Sequence, residues 1–102
     1  MVGKLVRDRI PGIIEADGRV VVRRTLTEKE YDAALIAKLH EEVTELAGAA
    51  PADRLAEAAD VYEVLLALVA RAGHSRDDLL RVADHKRAER GGFTGRVWLE
   101  AW

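Results

Sequence analysis

From Thr27 onward apolar residues recur at helical spacing, and start and stop signals divide this part of the chain into three long segments. Tyr31, Leu35, Leu39, Val43 and Leu46 share one stripe when each residue advances about 100° around the axis. Thr27-x-x-Glu30 has the form of a capping box, and Leu26 with Tyr31 that of a hydrophobic staple. A first helix is therefore predicted from Thr27 to about Ala47, ahead of Gly48 and Pro51. A second is predicted from about Ala52 to Ala72, stopping at Gly73. Leu55, Tyr62, Leu66 and Val69 form one line along it, and Val61, Val64, Leu65 and Leu68 an adjoining one. A helix apolar over more than half its circumference exceeds what packing on one side covers, so part of that surface is expected against a second subunit. Ser75-x-x-Asp78 opens a third helix, which Gly91-Gly92 closes.

Upstream, Pro11 to Glu15 reads as a short helix or turn ended by Asp17-Gly18, and Val20 to Val22 as a brief extended stretch. The tail from Phe93 to Trp102 is expected to be extended, with Trp98 and Trp102 packed back on the helices. The expected fold is one all-α domain over residues 1–102. It is a bundle of three main helices with short extended terminal segments, completed by oligomerisation, and its short connections favour antiparallel neighbours.

Composition narrows the function classes. Hydrophobic residues make up 49% and charged residues 33%, a globular balance. The formal net charge of −2, with no run of one sign, argues against a nucleic-acid partner. The apolar run from Val64 to Ala70 is too short to span a bilayer, so no membrane partner is expected. There is no cysteine, which excludes disulfides, thiolate nucleophiles and Cys-based zinc sites. Met1 is followed at once by Lys4, Arg7, Asp8 and Arg9 rather than by a signal peptide, and a cytoplasmic location is expected.

The acidic residues alter this picture. Glu42 falls inside the apolar stripe of the first helix, Glu45 at its edge, and Glu41 nearly opposite. A carboxylate on a core face is costly unless it is paired or holds a cation. Glu57 and Asp60 repeat the i,i+3 spacing on the second helix. Packed antiparallel, the two helices bring four carboxylates together, an oxygen-only set suited to a hard cation. On the third helix Lys86 and Arg90 continue the line of Leu79 and Ala83, with Arg87 offset, so that the face turns cationic near its end. Taken alone, each acidic pair also suits a solvated helix face. The three cations also suit the helix C-terminal dipole, and Lys4, Arg7 and Arg9 a solvated basic arm. His40, His74 and His85 have no metal-ligand spacing.

Glu41-Glu42-Val43-Thr44-Glu45 followed by Glu57-Ala58-Ala59-Asp60 resembles the EExxE and ExxD signature of the all-α nucleoside triphosphate pyrophosphohydrolases. That superfamily includes the MazG-like enzymes, the dimeric dUTPases and phosphoribosyl-ATP pyrophosphohydrolase. Lys4-Leu5-Val6-Arg7-Asp8-Arg9-Ile10-Pro11 and Lys86-Arg87-Ala88-Glu89-Arg90-Gly91-Gly92-Phe93 resemble a short, phosphoribosyl-ATP pyrophosphohydrolase-like branch, and the resemblance covers nearly the whole chain. It implies a bundle of at least two subunits. It also implies Mg²⁺, with Mn²⁺ as a substitute, held by Glu42, Glu45, Glu57 and Asp60 as metal and catalytic residues. The implied reaction is hydrolysis of a nucleoside triphosphate, or a related nucleotide, to a monophosphate and pyrophosphate. Lys86 and Arg90 are the implied phosphate ligands, and Arg87, Lys4 and Arg7 are further candidates for phosphate or substrate binding. The asparagine that many MazG-like enzymes carry in the basic region is missing. The competing reading is a non-enzymatic helical dimer that acts as a regulatory or nucleotide- or metal-sensing module on the same fold.

Overall fold

The computed structural model describes residues 3–102. Helix α1 spans Ile10–Ala16, with Pro11 in the first turn, where its missing N–H costs nothing. Helix α2 spans Glu28–Gly48 and begins with the predicted capping box. The Glu30 amide donates to Thr27 Oγ1 at 3.2 Å, and the Thr27 amide donates to Glu30 Oε1 at 3.0 Å. Arg24 grips the same carboxylate at 3.0 and 2.8 Å. Proline keeps the residue before it out of the helical region, so Ala50 is extended and α2 ends ahead of Pro51. Pro51–Asp53 forms a single 3-10 turn, and helix α3 follows over Arg54–Arg71. Gly73, at a φ of 87°, turns the chain out of α3. Helix α4 spans Arg76–Arg90, opened by a capping box between Ser75 and Asp78.

Helices α2 and α3 pack antiparallel. Near the start of α2, Asp32 accepts from Arg71 Nε, at the end of α3, at 2.6 Å. Arg71 also lies 5.9 Å from the centre of the Tyr31 ring. Between the helices Leu35 is 3% exposed and Val64 8%. Burial of each contributes roughly 1.5–3 kcal/mol. Helix α4 packs on α3 and buries no residue; Arg76 Nε donates to Tyr62 Oη at 2.7 Å.

The all-α bundle and its three main helices match the sequence expectation, and α1 stands where the sequence predicts a short helix or turn, at Pro11 to Glu15. Val20 to Val22 form no regular element, in keeping with the brief extended stretch expected there; Val20 and Val22 are exposed, and no strand occurs among the described residues. Other expectations need correction. The tail does not pack back: Phe93, Trp98 and Trp102 are exposed, because the last turns of α4 carry charged rather than apolar side chains. Val43 and Leu55 are also exposed, since none of the described residues covers the flanks of the two-helix layer. On α4 Leu79 is half-buried but Ala83 is exposed, so the inward line stops after one turn.

The accessible surface is 9019 Å², against about 5,700 Å² for a globular monomer of this mass. The radius of gyration is 17.4 Å, where about 13 Å is usual for this length. No helix among the described residues is long and apolar enough to cross a membrane.

The capping boxes make the fold acid-sensitive. The hydrogen bonds from Arg24 and Thr27 hold Glu30 down at about 2, below its ordinary 4.5. Those from the Ser75 amide, Arg81 and the Ser75 hydroxyl hold Asp78 at about 2, below 3.8. Folded-state values below the unfolded ones add stability above the unfolded pKa, and this is lost as pH falls towards 2. Urea unfolding measured from about pH 5 to about pH 2 is expected to show a falling midpoint. Glu30→Gln with Asp78→Asn should flatten that dependence.

Candidate functional site

The antiparallel packing sets Glu42, midway along α2, beside the first turns of α3. There one carboxylate oxygen from each of Glu42, Glu57 and Asp60 lies within 4.8 Å of the other two. Glu42 is 6% exposed. Its Oε1 is 3.2 Å from Lys38 Nζ, while its Oε2 is buried without a hydrogen-bond partner. Glu57 Oε2 is orphaned in the same way, although the positive end of α3 favours its charge. Asp60 accepts from Arg7 at 2.6 Å.

A buried carboxylate oxygen without a partner costs on the order of 1–3 kcal/mol. Two such atoms in one three-acid cluster match what a hard divalent cation needs: converging oxygens from charged groups, without sulfur or imidazole. The donors present fit Mg²⁺ or Mn²⁺.

The helix phase read from the sequence separates the adjacent glutamates correctly. The side chain of Glu42 is 8% exposed and that of Glu41 is 38% exposed, the latter 3.4 Å from Lys38 Nζ. Glu41 is thus half-covered rather than fully solvated. Glu45 is not among the three converging acids; it is exposed and borders them. The negative charge of Glu42, and after it burial, raises the Glu45 pKa above the ordinary value.

The basic residues are arranged differently from the sequence expectation. Lys86, Arg87 and Arg90 are exposed on α4, and none lines the cleft beside the acids, because only the first turns of α4 lie close to α3. That cleft, of about 460 Å³, falls in the size range of small-molecule sites. Its polar walls include Arg7, Arg9, Lys38, Glu42, Asp60 and Glu63. Lys4 borders a second cleft, which shares Leu5 to Asp8 with the first but does not include the converging acids. Sequence reasoning missed Lys38, although Lys38-x-x-x-Glu42 is an i,i+4 pair of opposite charge. For Lys38, burial lowers the pKa but hydrogen bonds to Glu42 and Glu41 more than offset it, leaving the pKa above the ordinary lysine value.

No protein-family model matches the chain, and no solved structure does. The chain is 57% identical over 54 residues to an uncharacterized protein of Mycolicibacterium smegmatis (strain ATCC 700084 / mc(2)155). The match covers 53% of this chain, and it spans about half of the relative's length, 55%.

The Lys38–Glu42 pair is largely removed from water, so replacing both partners with apolar groups of similar length is expected to cost nothing or to stabilise. In urea denaturation, the double substitution Lys38→Met with Glu42→Met should leave stability unchanged or raise it by about 1 kcal/mol. A loss of about 2 kcal/mol or more would mean that this carboxylate is kept for the fold.

Proposed function

We propose that the chain is a Mg²⁺-dependent nucleoside triphosphate pyrophosphohydrolase that works as a homodimer in the cytoplasm. The observation that carries this reading is the convergence of Glu42, Glu57 and Asp60 around two buried, unpartnered carboxylate oxygens. On this reading Glu42, Glu57 and Asp60 hold the metal, and Glu45 borders it. Bound there, Mg²⁺ would supply positive charge to polarise a phosphoryl oxygen and to lower the pKa of water.

The chain's own residues bind and orient. Arg7, Arg9 and Lys38 line the cleft beside the acids, where donors for phosphoryl oxygens are needed. Tyr31, Leu35 and Val64 give the same cleft an apolar wall that limits water. Lys86, Arg87 and Arg90 do not line the cleft beside the acids of their own chain, so a phosphate role for them calls for the cleft of a second subunit. The excess accessible surface and the exposed Phe93, Trp98 and Trp102 support that assembly.

The test is pyrophosphate release over a panel of nucleoside triphosphates, with Mg²⁺ and with EDTA. The expected result is metal-dependent release by a species that sediments as a dimer. Glu42→Gln should cut turnover by orders of magnitude, and Glu41→Gln by less than about fivefold, the scale of a surface ion pair. Equal losses in both variants, or release that EDTA leaves untouched, would overturn the proposal. Metal-dependent nucleotide binding without release would favour the sensing module instead.

A further inference from the structure

We propose that Arg7 and Lys38 serve the site twice: as counter-ions of Asp60 and Glu42, and as ligands of a diphosphate-class anion once a divalent cation takes those carboxylates. This rests on the metal-binding reading above. Arg7 lies 2.6 Å from Asp60 Oδ1 and Lys38 Nζ 3.2 Å from Glu42 Oε1, so two of the three converging acids already carry a side-chain cation. The two cations come from different elements, Arg7 from the non-helical segment before α1 and Lys38 from α2, and both line the same cleft. A divalent cation competes with Arg7 for Asp60 and, even on the free Oε2 of Glu42, draws on a carboxylate whose charge Lys38 shares.

The charge balance couples the two roles. The three converging carboxylates outnumber the guanidinium and the ammonium by one, and Glu41, 3.4 Å from the same ammonium, and Glu45 at the border add to that negative charge. A divalent cation offsets two of these negative charges, so both side chains are less tightly held by the acids while they still face the cleft. The guanidinium fork and the ammonium point charge then suit the paired oxygens of a diphosphate. Cation and anion binding are therefore coupled, and by linkage each strengthens the other.

The test is calorimetric titration of the full chain with Mn²⁺ alone, and of the Mn²⁺-saturated chain with imidodiphosphate, a diphosphate that resists hydrolysis. Arg7→Gln and Lys38→Met are measured beside the unsubstituted protein. Each substitution removes a competitor, so Mn²⁺ alone should bind about two- to fivefold tighter. Each also removes an anion ligand, so imidodiphosphate should bind at least as many fold more weakly. These opposite signs distinguish the dual role from a structural one, which would weaken both affinities together. Arg7 is exposed and outside any helix, so Arg7→Gln keeps the test decisive if Lys38→Met unfolds. If Mn²⁺ binds the unsubstituted chain but both affinities fall together, or neither moves, the dual role is wrong and the metal site stands. If Mn²⁺ does not bind the unsubstituted chain, the metal site fails and the dual role with it.

Discussion

The carboxylate of Glu42 lies between α2 and α3 with Lys38 on one oxygen and no partner on the other. Every other feature of the site depends on that placement. It requires α2 and α3 to run antiparallel in one register, which the Asp32–Arg71 pair holds at the far end and Leu35 with Val64 hold between. Sliding α3 along α2 by one turn, about 5.4 Å, would move Glu57 and Asp60 out of reach of Glu42. The few apolar side chains buried in this chain thus set the geometry of its most polar cluster.

That cluster works against the stability of a thin fold. Only Leu35 and Val64 among the large apolar residues described are buried, while two carboxylate oxygens in the same layer lack partners. A chain selected only for stability would fill the position of Glu42 with leucine. Keeping an acid there is consistent with binding chemistry, and the unusually large accessible surface indicates where the missing stability would come from. Half-buried apolar side chains from Val61 to Val69 lie on several sides of α3, more than α2 and α4 cover.

Helix ends are legible in the sequence because their signals are local. Thr27 with Glu30, Ser75 with Asp78, Pro51 and Gly73 each act within one turn. The inward phase of Glu42 is legible for the same reason: it depends only on the helical advance. The tail is not, because whether Trp98 and Trp102 find a surface depends on contacts far along the chain or in another molecule. The reach of the basic residues is not legible either. Helical phase places Lys86 and Arg90 on an inward line, but only the start of α4 lies against α3. Arg7 is the reverse case, a residue of a non-helical segment brought to Asp60 by tertiary packing alone.

On the reading proposed above, the two orphaned oxygens of Glu42 and Glu57 are there to receive a cation, together with Asp60. Anomalous X-ray difference density from crystals grown with Mn²⁺ tests this directly. The predicted result is a peak among Glu42, Glu57 and Asp60, at about 2.0–2.3 Å from their carboxylate oxygens. The absence of a peak there at saturating Mn²⁺, with ordered side chains and Lys38 still on Glu42, would contradict it.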